Sequence, residues 1–136
     1  MRAVLDPNVI VSALLSRQGT PERLLRSWLS GAFDLVVSDK LLAELERALA
    51  YPKLGERIER EEAAELVDLL RRHGEMATDP ADPPVICSAD PDDDYLIALA
   101  ENARAILVSG DRHLLDLRNQ LPVCSAATFL ASLGTT

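Results

Sequence analysis

Short apolar runs alternate along the chain with segments whose apolar residues recur at helical spacing. The short runs, at residues 2–5, 33–37 and 105–108 with a final one near Val123, are typical of buried strands. The helical pattern predicts helices at residues 9–15, 21–30, 39–50, 59–73, 90–103, 111–117 and 126–133. Strands and helices that alternate in this way form a mainly parallel sheet with helices on both faces, so the pattern predicts an α/β fold.

The chain reads as one continuous unit. Residues 78–84 include three prolines and are predicted to be a connecting loop before the small apolar run 85–87. No internal repeat, low-complexity tract or interdomain linker interrupts the pattern, and 136 residues is a usual size for one domain. We therefore expect a single domain that spans residues 1–134.

Composition restricts the environment and the kind of partner. The chain has no apolar run near the roughly 18–20 residues of a membrane-spanning helix and no apolar leader after Met1, so we expect a cytoplasmic protein without a membrane partner. The net charge of −8 argues against a large positive surface for nucleic acid. Bound divalent cations would reverse the local field around clustered acids, so a polyanionic substrate is compatible with this charge.

Acidic residues stand where strands end or helices begin. Asp6 and Asp111 follow predicted strands directly, whereas Glu44 and the run 90–94 lie in helices. Each acid alone is explained by helix capping or by the helix dipole. Because ligands of open parallel sheets bind beyond the carboxyl ends of the strands, the acids as a set indicate one shared carboxylate pocket.

The residue types in this pocket favour metal-assisted chemistry. Carboxylate oxygens suit Mg²⁺ or Mn²⁺, and no cluster of histidines or cysteines offers a site for zinc or a softer metal. His73 and His113 are far apart in sequence and are predicted to lie at the surface. The chain has no G-x-S-x-G elbow, glycine-rich phosphate loop or dinucleotide fingerprint, which argues against covalent hydrolysis and nucleotide-cofactor chemistry.

Four segments of the sequence together resemble the PIN-domain family (PilT N-terminus), and within it the VapC-like toxins of prokaryotic toxin–antitoxin pairs. They are Asp6-Pro7-Asn8-Val9-Ile10-Val11-Ser12-Ala13-Leu14-Leu15, Leu41-Leu42-Ala43-Glu44-Leu45 with Tyr51-Pro52-Lys53-Leu54 after it, Asp90-Pro91-Asp92-Asp93-Asp94, and Ser109-Gly110-Asp111-Arg112-His113-Leu114-Leu115. The resemblance spans nearly the whole chain, with the segments in the expected order. It implies a three-layer α/β/α sandwich and a Mg²⁺- or Mn²⁺-dependent ribonuclease.

The same resemblance implies a set of site residues and partners. The metal site would consist of Asp6, Glu44, Asp111 and one acid of the run 92–94, and the supporting residues would be Asn8, Ser12 and Ser109. One or two bound ions would activate a water for hydrolysis of an RNA phosphodiester, with no residue acting as nucleophile. A homodimer and a small antitoxin protein are the implied partners.

The helical pattern around Glu44 leaves two glutamates as candidates for the site residue on this helix. Glu44 and Glu46 each lie roughly 100° from the centre of the apolar stripe of the helix at 39–50, on opposite flanks. The pattern therefore does not choose between them. The family resemblance selects Glu44.

The acid of the later helix is also open to two interpretations. Asp93 lies within about 50° of the centre of the apolar stripe, whereas Asp94 lies about 150° away, so the pattern favours Asp93. The segment Asp94-Tyr95-Leu96-Ile97-Ala98 resembles the D-x-x-I-A form of many family members. Asp94 therefore stays as the alternative metal ligand.

Basic residues near these segments are candidates for contacts with phosphate groups. Arg112 follows the last acid directly and Lys40 lies close to Glu44 in sequence, with further candidates at Arg17, Arg23 and Arg26. For each of them, the sequence alone favours an ordinary solvated surface residue over a phosphate contact.

Two other functions compete with the ribonuclease. A phosphatase of the haloacid-dehalogenase type also has an aspartate after its first strand, but it needs a second one where Asn8 stands and a suitably placed lysine. The other rival is a PIN-like module that only binds a protein partner and retains its acids for folding.

Overall fold

The computed structural model describes residues 1–133, so the last residue of the predicted domain, Gly134, lies outside the described part. The strands are β1 (Arg2–Leu5), β2 (Asp34–Val37), β3 (Glu75–Met76), β4 (Ile106–Val108) and β5 (Val123–Cys124). The α-helices are α1 (Pro7–Leu15), α2 (Thr20–Leu29), α3 (Asp39–Leu49), α4 (Arg60–His73), α5 (Asp94–Ala103), α6 (Arg112–Leu115) and α7 (Ala126–Leu133). Short 3-10 turns occur at Leu54–Glu56 and Pro91–Asp93.

The five strands form one parallel sheet in the order β3-β2-β1-β4-β5. The first strand, β1, occupies the centre, with Ala3 opposite Leu35 of β2 on one side and opposite Ile106 of β4 on the other. Such a strand is buried on both faces, which explains its continuous apolar run. Ala3, Val4 and Leu5 are accordingly 0% exposed.

The strand order determines how the helices are distributed. The connections from β1 to β2 and from β2 to β3 run in one direction across the sheet, and the chain then returns past β1 to β4. Since parallel crossovers are right-handed, α1 to α4 cover one face and α5 and α6 the other. The packing agrees: α1 contacts α2 and α3, α2 contacts α7, and α5 contacts β1 and β4. The predicted three-layer α/β/α fold is therefore confirmed.

The structure shows two features that the sequence pattern did not predict. The edge strand β3 was not predicted, because a strand of two exposed residues has no apolar period to detect. The apolar run 85–87 forms neither helix nor strand, and Val85 is 97% exposed. Among the described residues, no helix is long and apolar enough to cross a membrane.

Helix α4 meets the end of β2 at Gly74, and this close approach explains the glycine. A Cβ atom at this position would lie 2.5 Å from the backbone oxygen of Leu70 and 3.0 Å from Cγ2 of Val37. The substitution Gly74→Ala should therefore lower the free energy of unfolding by about 1–3 kcal/mol, measured by urea denaturation. Gly55→Ala is the matched control, because nothing lies within 4 Å of its added Cβ. Equal stability of the two variants would contradict this account of Gly74.

Candidate functional site

The predicted acids gather at the edge of the sheet where the strand order reverses. Strands β1 and β4 are neighbours there although about a hundred residues separate them in sequence, and the backbone N–H of Asp6 donates to the carbonyl oxygen of Val108 at 2.9 Å. Asp6 follows β1, and Ser109 follows β4. In open parallel sheets a crevice forms at such a reversal point, beyond the carboxyl ends of the strands.

A buried serine joins the two acids that follow these strands. The Ser109 hydroxyl donates to Oδ2 of Asp6 at 2.7 Å and accepts from the backbone N–H of Asp111 at 3.0 Å. Ser109 is 0% exposed and Asp6 only 4% exposed. The hydroxyl therefore fixes the orientation of the Asp6 carboxylate and the path of the chain into Asp111.

Asp6 and Asp111 also cap helices, so the capping interpretation is confirmed for both of them, and the shared carboxylate pocket stays a prediction. Oδ1 of Asp6 accepts from the backbone N–H of Asn8 at the start of α1, at 3.0 Å. Oδ1 of Asp111 accepts from the backbone N–H of His113 at the start of α6, at 2.8 Å. Each carboxylate is thereby held close to the end of its strand.

Burial makes the charge on Asp6 unfavourable. Desolvation raises the pKa of Asp6 above its usual value, and the nearby charge of Asp111 acts in the same direction. The hydrogen bonds from Asn8 and Ser109 lower the pKa but do not cancel the effect of burial. A cation beside Asp6 would relieve this penalty.

Asp93, at the end of the 3-10 turn before α5, is the third acid at this edge. The pKa of Asp93 is raised to about 7, mainly by desolvation. The hydrogen bond and charge of the Asp111 carboxyl, and then the charges of Asp6 and Asp90, act in the same direction. A hydrogen bond between two carboxyl groups requires that one of them carry a proton. Within residues 1–133, the buried Oδ2 of Asp93 has no hydrogen-bond donor. A proton donor or a cation placed at this oxygen would satisfy it.

Asp94 is engaged elsewhere. Its Oδ1 accepts from the backbone N–H of Ser88 at 2.7 Å and so holds the preceding loop against the start of α5. The structure brings Asp93 rather than Asp94 towards Asp6 and Asp111. Which of the two would bind a metal stays a prediction.

The structure separates the two glutamates of α3. Glu44 is half-buried and forms an ion pair with Arg47 at 2.7 Å. It lies on the side of the helix towards the acidic edge, the sheet edge that carries Asp6, Asp93 and Asp111. Glu46 is exposed and pairs with Arg71 of α4 at 3.3 Å. Only Glu44 therefore lies where it could join the other acids, and its role as ligand or base stays a prediction.

Tyr95 is a residue of this site that the sequence analysis did not identify. Burial raises the pKa of the Tyr95 hydroxyl, and the charges of four surrounding carboxylates raise it further. These carboxylates are those of Glu44, Asp6, Asp79 and Asp93. The ammonium of Lys40 lies over its ring, 4.8 Å from the centroid. The position of Tyr95 directly after the acidic run was the sequence signal that could have identified it.

Asp79, in the loop after β3, is the second residue that the sequence analysis missed. Its Oδ2 accepts from the backbone N–H of Lys40 at 3.0 Å, and its buried Oδ1 has no donor within residues 1–133. No local pattern identifies Asp79, because its partner is 39 residues away in sequence.

The remaining predicted residues lie at the margin of the site. Asn8 is exposed and contributes its backbone N–H, while Ser12 is half-buried on α1 and none of the described hydrogen bonds involves its hydroxyl. Arg112 is exposed beside Asp111.

His73 and His113 are exposed, as predicted. A groove of about 860 Å³ between α3 and α4 is lined by Glu46 but by none of Asp6, Glu44, Asp93, Asp94 and Asp111.

The donor set fits a hard divalent cation, although the side chains are not yet arranged around one. Within the described residues, no three acidic, histidine or cysteine side chains are close enough together to hold one ion. A cation would interact favourably with Oδ2 of Asp93, which has no hydrogen-bond partner among residues 1–133. It would also offset the desolvation cost of the charge on Asp6. Oxygen ligands of this kind suit Mg²⁺ or Mn²⁺, and binding would need these side chains to move towards one another.

The raised pKa of Asp93 gives stability a dependence on pH. Its pKa in the folded protein, about 7, lies above the ordinary value of 3.8, so ionisation lowers stability progressively as the pH rises from about 4 to above 7. An amide cannot ionise. In EDTA, Asp93→Asn should therefore raise the melting temperature at pH 8 by more than at pH 4.5, measured by circular dichroism.

Asp94→Asn is the control for this measurement, because it places an amide in the same turn without touching the acids at the sheet edge. Its effect on the melting temperature should not grow with pH. An equal gain for Asp93→Asn at both pH values would contradict the coupling of Asp93 to its acidic neighbours.

Comparisons with known proteins agree with this architecture. An uncharacterized protein of Methanocaldococcus jannaschii is 26% identical over 122 residues, which cover 88% of this chain and 77% of that protein. A PilT N-terminus domain protein of Sulfolobus solfataricus P2 has a similar fold, with a TM-score of 0.63 and 18% identity over 100% of this chain and 96% of its own. VapBC2 from Rickettsia felis, solved bound to a DNA fragment from its promoter, gives a TM-score of 0.64 and 16% identity over 92% of this chain and 98% of its own.

The family assignment depends on the sequence match. The sequence model of the PIN domain family matches residues 2–113, which is most of the chain and includes Asp6, Glu44, Asp93 and Asp111. Proteins of this family are generally nucleases, a class of hydrolases. The resemblance expected from the four sequence segments is therefore confirmed, and the chain belongs to the PIN domain family.

Proposed function

We propose that this chain is a Mg²⁺- or Mn²⁺-dependent endoribonuclease that acts as the toxin of a toxin–antitoxin pair. The observation that carries the proposal is the meeting of Asp6, Asp93 and Asp111 at the reversal point of the sheet. The nuclease character of the PIN domain family supports it. RNA as the substrate and a divalent metal as the cofactor are the specific parts of the proposal.

Each acid has a distinct part in the proposed reaction. Asp6, whose orientation is fixed by Ser109, and Asp93, with its unpartnered oxygen, would be the principal metal ligands together with Asp111. A bound Mg²⁺ or Mn²⁺ would activate a water and neutralise charge on the phosphoryl oxygens. Glu44, at the flank of the cluster, would complete the ligand set or position the attacking water as a base.

The toxin assignment is supported by fold similarity to solved toxin–antitoxin proteins. Besides the Rickettsia felis structure, VapBC-1 from nontypeable Haemophilus influenzae has a TM-score of 0.61 and 16% identity over 93% of this chain and 99% of its own. We propose a small antitoxin protein as the partner of this chain and a homodimer as its assembly.

Cleavage of RNA tests the proposal directly. Purified protein should cut mixed single-stranded RNA in Mg²⁺ or Mn²⁺ and should not cut it in EDTA. Asp6→Asn and Asp93→Asn should each lower the rate by about 100-fold or more, because loss of a ligand costs at least as much as loss of an outer-shell partner. Gel analysis of the cleaved RNA measures the rates. Asp116→Asn serves as the control, because Asp116 is an exposed acid at the end of α6.

The outcomes separate the rival functions. Equal cleavage by the wild type and both variants would remove the proposed site from consideration. Hydrolysis of a small phosphomonoester such as p-nitrophenyl phosphate, without cleavage of RNA, would instead favour the phosphatase. Metal binding detected as a thermal shift, with no turnover of either substrate, would favour the protein-binding module.

The Ser109 hydroxyl provides a second test of the same site. Ser109→Ala removes the donor to Oδ2 of Asp6 and the acceptor of the Asp111 N–H, while every carboxylate remains. The rate of RNA cleavage should fall by roughly 10- to 100-fold, and the midpoint of activation by Mn²⁺ should move to a higher concentration. Ser125→Ala is the matched control, because that hydroxyl lies in an exposed cap of the last helix. An unchanged Mn²⁺ midpoint in Ser109→Ala would contradict the positioning role.

A further inference from the structure

A lysine and a tyrosine from opposite layers meet at the acidic edge. Lys40 lies in the first turn of α3 and Tyr95 in the first turn of α5, and the ammonium of Lys40 is 4.8 Å from the centre of the Tyr95 ring. Such a cation over an aromatic face is attracted by the negative face of the ring. Tyr95 is half-buried, so its ring offers a supported platform rather than a mobile contact.

The backbone that carries Lys40 is anchored from two sides. The Ser38 hydroxyl accepts from the backbone N–H of Leu41 at 3.2 Å, and Oδ2 of Asp79 accepts from the backbone N–H of Lys40 at 3.0 Å. The second bond comes from the loop after β3, at the same edge of the sheet. Both bonds satisfy N–H groups that the first turn of a helix leaves without an intrahelical partner.

The ammonium group of Lys40 is not committed to any carboxylate. Within residues 1–133 it forms no ion pair, although Tyr95 beneath it has Glu44, Asp6 and Asp93 as neighbours. The Lys40 side chain is exposed. Its N–H donors are therefore available to an anion that reaches the acidic edge.

We propose that Lys40, supported by the Tyr95 ring, binds a backbone phosphate of the RNA strand at the acidic edge. This inference rests on the proposed ribonuclease function and names the group that holds the substrate. The ammonium covers one face of the ring, which favours a phosphate contact over the stacking of a base on that face. A lysine acts on phosphate as a point charge, so the contact is independent of base sequence.

Steady-state cleavage at several salt concentrations tests the contact. Lys40→Met, which keeps the length and loses the charge, should raise KM for a mixed single-stranded RNA roughly 5-fold at 100 mM KCl, with the loss mainly in KM rather than kcat. The slope of log kcat/KM against log salt concentration should decrease by about one. Lys40→Arg should return KM to within about twofold of the wild type, because the cation is restored.

The chain offers a matched control for the lost charge. Lys53 is the other lysine, is exposed, and follows α3, whose far end at Leu49 lies about 14 Å along the helix axis from Lys40. Lys53→Met should leave KM and the salt slope unchanged. For the platform, Tyr95→Leu should raise KM further than Tyr95→Phe, since only the first removes the ring. Melting temperatures of all variants identify any loss of folding.

The results distinguish this inference from the function on which it rests. A wild-type protein that cleaves no RNA overturns both. Metal-dependent cleavage by the wild type, with the same KM and salt slope in Lys40→Met, overturns only the phosphate contact. A lower melting temperature of Lys40→Met with an unchanged KM would assign Lys40 instead as a counter-ion of the carboxylates.

Discussion

The parallel pairing of β1 with β4 is the constraint on which the candidate site depends. Leu5 lies opposite Val108, and the bond from the Asp6 N–H to the Val108 oxygen extends the ladder by one residue. Because side chains alternate between the faces of a sheet, a shift of one residue in this register would turn Asp6 away from Ser109. The buried apolar residues of both strands oppose such a shift, so the hydrophobic core fixes the geometry of the acidic edge.

The same edge has a cost in stability that the core must offset. Asp6 is held almost without solvent, and the pKa values of Asp6 and Asp93 are raised because their charges face burial and one another. Shifts of this kind cluster at functional sites, since a structure selected for stability alone would replace or separate such groups. Helix capping explains the positions of Asp6 and Asp111, but it does not explain why Asp93 buries an oxygen that has no donor among residues 1–133.

Local patterns predicted those parts of the fold and site that depend on local physics. The runs around β1, β2 and β4 are buried on both faces and therefore continuous in sequence, and Asp6 and Asp111 were identified because each follows such a run. The strand β3 and the residue Asp79 depend on partners far away in the chain, and no local pattern of the sequence indicates such partners. The pattern favoured Asp93 over Asp94 on the assumption of one continuous helix. The observed 3-10 turn changes that geometry, and the contact of Asp94 with Ser88 is what separates the two acids.

The distribution of charge over the protein matters more for substrate binding than its net charge of −8 does. In the absence of a cation, each ionised carboxylate among Asp6, Asp93 and Asp111 would repel an approaching phosphate. Under the proposed function each divalent ion adds two positive charges at this point, so the sign of the local field depends on metal occupancy. Lys40 lies over Tyr95 beside these acids and adds a fixed positive charge to the same edge. Under the proposed function, an acidic protein would therefore bind a polyanion at the place where the metal and Lys40 supply positive charge, while its net negative charge would oppose binding elsewhere.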